Sequence, residues 1–367
     1  MSVEKLERKF CTGCMACKNI CPVDAIAFEY NEKGFLYPKI DKEKCIECGV
    51  CEKTCPMLNK EKKEEPTQEI YAAKNKNMDI RLGSSSGGLF HELTDIVLNR
   101  NGYVCGAIFD DSFNVIHEIT NSHETRNKMQ TAKYVQSRIN DIYKKVEEMI
   151  KENKEVLFSG TPCQVDGLYK YLSTKNIITD KLITCDIVCH GCPSPKVFEE
   201  YLKDIEEKYK SKIKSINFRH KENDYTQNIK IEFENGQTYI NSTSGGDYYY
   251  RLFSYDYMLR ESCYNCNYTN MNRVGDITIG DFWGIEKVDD SFSDNKGVSL
   301  VIINSNKGKE LFNEVKDKFE VLFVEDKEKC LQHNLKNPTA IPNNYDSIWK
   351  AYYEKGFEGF KQFLDNN

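Results

Sequence analysis

The sequence predicts a chain of the α+β (mixed α/β) class, in which a small cysteine-rich amino-terminal module precedes a larger mixed-sheet body. Three observations predict it. Eight of the sixteen cysteines crowd into residues 11–55; from Ile70 to about residue 205 short apolar runs alternate with amphipathic stretches; and past residue 213 strand-like runs become more frequent. A length of 367 residues, 40% of them hydrophobic, is enough for two or three domains with a real core. The expected boundaries are 1–58 for the module, 59–69 for a linker and 70–367 for the body.

In the module, "CTGCMACKNICP" (11–22) and "CIECGVCEKTCP" (45–56) both read C-x-x-C-x-x-C-x-x-x-C-P, repeated at an offset of 34 residues. That is the bacterial two-cluster ferredoxin pattern, in which three cysteines of one run and the fourth of the other hold each cubane. Cys11, Cys14, Cys17 and Cys55 are therefore expected to bind one [4Fe-4S] cluster, and Cys45, Cys48, Cys51 and Cys21 a second. Pro22 and Pro56 turn the chain away after the last ligand of each run. Zinc is the alternative, but zinc sites are normally closed by ligands in two separated pairs. The charged, proline-containing "NKEKKEEPTQE" (59–69) reads as a solvated linker.

In the body, "GYVCGAIF" (102–109), "EVLFSG" (155–160) and "KLITCDIVCHG" (181–191) read as strands. "GLFHELTDIVLNR" (88–100), "INDIYKKVEEMIKE" (139–152), "QVDGLYKYL" (164–172) and "PKVFEEYLKDIEEKY" (195–209) read as helices. "KSINFRH", "NIKIEFEN", "DITIGDF" and "GVSLVIIN" supply the later strands, so the sheet is expected to be mixed.

The formal charge of -6 leaves no basic excess to neutralise phosphates, which argues against nucleic acid or an anionic membrane surface as partner. No run of eighteen apolar residues suggests a membrane span, and the charged start has no apolar export segment. A cytoplasmic location is expected, where sixteen cysteines are better explained by metals than by disulfides.

Two features of the body carry chemistry. The loop "GSSSGG" (83–88) runs into the helix starting near Leu89, a place that suits phosphate; the plain alternative is a turn whose serine caps the helix. In "SGTPCQ" Cys163 stands where a strand passes into a helix, a position expected to lower a thiol pKa. It reads either as a nucleophile, with His190 or His220 as base, or as a metal ligand. Cys189 in "DIVCHGCPSP" repeats the arrangement, ahead of a helix that Ser194 and Pro195 would start. If the two strands are parallel neighbours, both thiols leave from the same carboxyl edge, where ligands of such sheets gather. Cys263 and Cys266, in "SCYNC", are the remaining C-x-x-C pair.

Together "SSSGGLF" (84–90), "AKYVQS" (132–137), "SGTPCQ" (159–164), "DIVCHG" (186–191), "INFRHK" (216–221), "SCYNC" (262–266) and "RVGDITIGDFWG" (273–284) resemble the beta subunits of coenzyme F420 hydrogenases and dehydrogenases. The resemblance implies FAD beside a third [4Fe-4S] cluster whose ligands match Cys163, Cys189, Cys263 and Cys266. It implies FAD contacts from Ser84, Ser85, Ser86, Gly87, Gly88, Lys133, Tyr134, Gln136 and Ser137, with Thr161 and Pro162 of the next motif beside them. Many relatives show Arg-Asp-Lys and a tryptophan where this chain has Arg219-His220-Lys221 and Tyr225.

The expected function is an oxidoreductase that passes electrons between soluble ferredoxin, or another redox protein, and a small organic substrate through three clusters and FAD. A deazaflavin-linked subunit and a non-catalytic electron-transfer adaptor are the alternatives. His190, Arg219, Lys221 and Asp281 are the candidate catalytic residues, His190 alternatively donating a hydrogen bond to a cluster sulfur. Arg273 joins Arg219, His220 and Lys221 as a candidate for anion binding. The aromatic run 247–260 is expected to be mainly core, and Cys105, Cys185 and Cys330 buried apolar residues. Cys192 lies close enough to Cys189 to be an alternative ligand.

Overall fold

The computed structural model describes residues 2–59, 68–221 and 228–366; most of the expected linker, and Tyr225, lie outside the described residues. The strands are β1 (Ile26–Tyr30), β2 (Leu36–Ile40), β3 (Glu69–Asn75), β4 (Tyr103–Phe109), β5 (Val115–Thr120), β6 (Val156–Gly160), β7 (Leu182–Ile187), β8 (Ile213–His220), β9 (Asn228–Phe233), β10 (Thr238–Ser242), β11 (Ile277–Asp281), β12 (Ser299–Ile303) and β13 (Phe319–Phe323).

In the amino-terminal segment β1 and β2 form an antiparallel hairpin between two short helices, Ala16–Ile20 and Val50–Thr54. The sequence repeat is also a structural one. Met15 and Gly49, 34 residues apart, both precede their helices in the left-handed region (φ 59° and 72°), which turns each chain sharply inside its cysteine run.

Among the described residues the body holds an eight-stranded sheet in the order β13-β3-β12-β11-β7-β6-β4-β5. The central strands β11, β7, β6 and β4 run parallel, and the flanking pairs are antiparallel. Side chains alternate between its faces, as the two-residue strand period requires. Leu157 of β6 and Ile183 of β7 meet the helices Leu89–Asn99 and Asn306–Val315 on one face. Val156 and Phe158 of β6 and Leu182 of β7 meet Ile142–Lys151 and Pro162–Thr174 on the other, where Cys14, Met15 and Ala16 join the same core. The amino-terminal segment thus docks on the helix Pro162–Thr174, which carries Cys163 in its first turn.

The later strands divide in two. β8, β9 and β10 form a separate antiparallel sheet instead of extending the large one, while β11 and β12 enter it. "KLITCDIVCHG" is a strand only as far as Ile187, so Cys189 lies in the loop beyond the sheet edge. The helix Tyr248–Ser254 buries Tyr249, Tyr250, Leu252 and Phe253.

Candidate cofactor site

The expected ligands of the first cluster come together. Burial pushes the Cys14 thiol up to about 12, with the charges of Cys55 and Cys11 adding to the rise, and raises Cys17 beside Cys14, Cys11 and Cys55. Cys21, Cys45 and Cys51 pack around Ile26, Ile40, Cys17 and Cys55, and Cys48 is exposed. Backbone amides aim at these sulfurs: Ala25 N–H donates to Cys21 Sγ at 3.3 Å. Such bonds favour thiolate and tune a bound cluster.

Two rows of contacts fix this segment to the body. Asn19 Nδ2 donates to the Asn140 carbonyl (2.7 Å), and Ser194 Oγ to the Lys33 carbonyl (2.7 Å). Gly167 faces Cys14, and a Cβ there would stand 3.0 Å from both Cys14 Cβ and Sγ. Gly167 follows Cys163 by four residues in one helix, so the two share a face.

β6 and β7 are parallel neighbours, and Cys163 and Cys189 leave them at the same edge. Thr161 caps the helix after β6, with Thr161 N–H donating to Gln164 Oε1 (3.0 Å) and Pro162 in the first turn. Ser194 caps the helix after β7, accepting from Val197 N–H. A small cavity forms there, lined by Cys163, Cys189, Cys192, Cys263 and Cys266 together with Thr12 and Met57 of the amino-terminal segment. The Cys192 amide donates to Cys263 Sγ (3.3 Å) and the Tyr268 amide to Cys266 Sγ (3.4 Å). Burial pushes Cys163 well up, overturning the expectation that its helix position lowers it, and lifts Cys266 to about 12; the Cys192 thiol and amide hold Cys263 down.

This donor set fits an iron–sulfur cluster. Thr12, on the cavity wall, has its hydroxyl buried beside the Cys14 thiol. Among the described residues no three His, Cys, Asp or Glu side chains form a site for a single metal ion. Four cysteines serve the four irons of a cubane one each, so they need not converge on one point.

A second cavity of about 500 Å³ opens along the carboxyl edge of β4, β6, β7 and β11, within the size range of cofactor sites. Its wall includes Ser84, Ser85, Ser86, Gly88, Lys133, Tyr134, Ser137, Thr161, His190, Arg219 and Asp281, which the sequence singles out. Arg219 ties three segments together: Nη1 donates to Tyr134 Oη (2.8 Å) and Asp281 Oδ2 (2.7 Å), and Nη2 to the Ser85 carbonyl (3.0 Å). The serines do not cap the helix Leu89–Asn99. Ser84 and Ser86 hydroxyls donate to the Ile80 and Val298 carbonyls, Ser85 Oγ accepts from Ala132 N–H, and the cap is Gly88 at φ 91° with no side-chain bond. Gly88, Leu89 and Phe90 at the helix start line the cavity, and no side chain caps the first turn, which leaves its amides open to an anion.

The residues present fit a flavin nucleotide. Asp281 Oδ1 is buried there without a partner. Lys133 Nζ donates to the Gln130 and Thr131 carbonyls, no carboxylate pairs with it among the described residues, and burial lowers it to about 7, so an anion in the cavity would favour its protonated form.

Four expected contacts lie elsewhere. Gly87 is under the loop, where a Cβ would strike the Ala73 carbonyl at 2.2 Å. Gln136 turns to the amino-terminal segment, donating to the Thr12 carbonyl (3.1 Å). Pro162 lines the cysteine cavity. Lys221 Nζ donates to the Arg81, Ser86 and Lys296 carbonyls, which makes it a support of the serine loop rather than a group lining the cavity. His190 pairs through Nε2 with Asp256 Oδ1 (2.6 Å). Arg273 forms a buried pair with Asp186, and Asp276 accepts from Thr184 N–H; both are internal ties. Cys105, Cys185 and Cys330 are buried.

His117 carried no sequence signal but lines the cavity. Its Nε2 donates to the Ser159 carbonyl (3.0 Å) and its Nδ1 accepts from Ser137 Oγ (2.6 Å). Only the antiparallel pairing of β4 with β5 brings it there, since β5 reads as a short edge run.

Residues 10–59 match the family described as 4Fe-4S dicluster domain, and residues 153–329 match the family of the carboxyl-terminal region of the coenzyme F420 hydrogenase/dehydrogenase beta subunit. No curated protein matches the sequence. Among solved structures, a chain of the xenon-derivatised F420-reducing [NiFe] hydrogenase complex from Methanosarcina barkeri is similar at 16% identity and a TM-score of 0.49, over 78% of this chain and 92% of that one. The chain thus carries, in order, a region similar to a 4Fe-4S dicluster domain and a region similar to the carboxyl-terminal part of the coenzyme F420 hydrogenase/dehydrogenase beta subunit.

Proposed function

We propose that this protein is an iron–sulfur flavoprotein oxidoreductase, with three [4Fe-4S] clusters and FAD, that exchanges electrons between a redox protein such as soluble ferredoxin and a small organic substrate. The observation that carries this reading is a shared wall. Thr161, Cys189, His190, Gly191 and Cys192 line both the cysteine cavity and the larger cavity, and Thr12 and Met57 of the dicluster domain line the former. Three candidate redox sites therefore lie in contact.

Clusters supply single-electron transfer and a flavin supplies the exchange between one-electron and two-electron chemistry. The chain's own residues do the rest. Lys133 and the start of the helix Leu89–Asn99 bind anionic groups of the nucleotide, and Arg219 holds the serine loop, Tyr134 and Asp281 in one arrangement around it. His190, held by Asp256, keeps its ring in the shared wall, and Phe253 and Trp283 add aromatic surface to the cavity lining.

The test is anaerobic reconstitution with iron, sulfide and FAD, followed by titration with reduced ferredoxin. The flavin absorbance band should bleach. A protein that takes up clusters but no FAD would instead be an electron-transfer adaptor. The family match over residues 153–329 favours one variant of the reading, in which coenzyme F420 is the organic substrate. Bleaching of the deazaflavin on mixing with reduced protein distinguishes it.

A further inference from the structure

Arg260 is 1% exposed and lies where the dicluster domain meets the body. Its Nε donates to the Cys11 carbonyl (2.7 Å), Nη1 to Gln136 Oε1 (3.0 Å), and Nη2 points at Cys11 Sγ (3.7 Å). The guanidinium also covers the Tyr37 ring at 4.0 Å. Among the described residues no carboxylate pairs with it. A buried guanidinium stays charged, and burying it without a counter-charge is costly. The anionic groups it meets are cysteine sulfurs.

The approach is built in. Gly13 is left-handed (φ 70°), and a Cβ there would stand 2.6 Å from Gln136 Nε2 and 3.1 Å from Arg260 Cζ. The backbone of Arg260 is tied to the other cysteine cavity, its N–H donating to the Cys192 carbonyl (2.9 Å) and its carbonyl accepting from Cys263 N–H (2.8 Å). Glu261, next to it in sequence, pairs with Lys33, and Arg8, which lies over the same Tyr37 ring at 5.2 Å, pairs with Glu32. The positive charge is thus fixed between the Cys11 site and the Cys263 site.

We propose that Arg260 is a positioning residue that raises the reduction potential of the cluster held by Cys11, Cys14, Cys17 and Cys55, by favouring the extra negative charge of its reduced state. An electron then rests on this inner cluster rather than on the outer one, whose expected ligand Cys48 is exposed. The inference rests on the cluster assignments above. It concerns a potential, so activity is not its readout.

The experiment is an EPR-monitored potentiometric titration of the reconstituted full chain and of Arg260→Lys, Arg260→Met and Gln136→Glu. Gln136→Glu keeps the side chain's shape, gives up its bond to the Thr12 carbonyl and sets a carboxylate against the guanidinium, so it changes the charge at this point even if Arg260→Met fails to fold. In Gln136→Glu and Arg260→Met one cluster should shift to lower potential, its reduced-to-oxidised ratio at the wild-type midpoint falling about tenfold, or ~59 mV for one electron. Arg260→Lys should keep the wild-type value. Unchanged midpoints in Gln136→Glu at full iron content would overturn the role of Arg260. A wild-type protein lacking the cluster signals would instead overturn the cluster assignments.

Discussion

Gly167 and Cys14 touch across the boundary between the body and the dicluster domain, so closely that no side chain fits between them. Four helical residues rise about 6 Å, which sets Cys163 one turn from that contact. Gly167→Ala gains about 1 kcal/mol of helix propensity, but overpacking a buried contact costs about 1–3 kcal/mol. The expected outcome is a lower melting temperature for Ala and a larger drop for Val, with weaker magnetic coupling between the reduced clusters. An unchanged coupling in Gly167→Val would show that this contact does not set their separation.

Cys266→Ala should lower the iron content after anaerobic reconstitution from about twelve to about eight atoms per chain, one cubane of three. Cys192→Ala should retain about twelve, because Cys163, Cys189, Cys263 and Cys266 already supply four thiolates. Iron analysis of the two variants side by side checks the assignment, and the reverse pattern would exchange the roles of Cys192 and Cys266.

Arg219 is buried and Asp281 half-buried, so leaving the carboxylate alone costs less than the ~3–5 kcal/mol of a fully buried pair. Arg219→Met should therefore melt several degrees lower and lose bound FAD, since the serine loop and Tyr134 lose their common tie. Flavin released on acid precipitation, set against the melting temperature, measures both. Full FAD content in Arg219→Met would remove this residue from the site.

His117 is 4% exposed, and burial lowers it to about 4. An unfolded histidine titrates near 6.5, so below that pH the unfolded chain binds a proton that the folded one does not. Stability is lost as pH falls from about 6.5 towards 4, at about 1.4 kcal/mol per pH unit once well below 6.5, and is flat above 7. The difference in unfolding free energy between wild type and His117→Gln, followed from pH 7 to 5, isolates this group. A difference that does not shrink as pH falls would mean that His117 is not held neutral.

The features legible in the sequence were those written as local periods. The offset of 34 residues reappears as two matched helices after Met15 and Gly49. The amphipathic run 195–209 is the helix Pro195–Tyr209, and the strand-to-helix junctions at Cys163 and Cys189 fall where proline and capping residues set them. Long-range partners were not legible. Arg260 meets Cys11 across 249 residues, and His117 meets Ser159 across 42, with no repeat to announce either. Lys221 sits in a motif that suggested chemistry, yet its ammonium satisfies three carbonyls of neighbouring loops. That role depends on backbone geometry, which a motif does not carry.

The central claim, three clusters and a flavin in one chain, is tested most directly by measuring iron and FAD in the same anaerobically reconstituted sample. The account predicts about twelve irons and one FAD per chain; about eight irons with no bound flavin would contradict it.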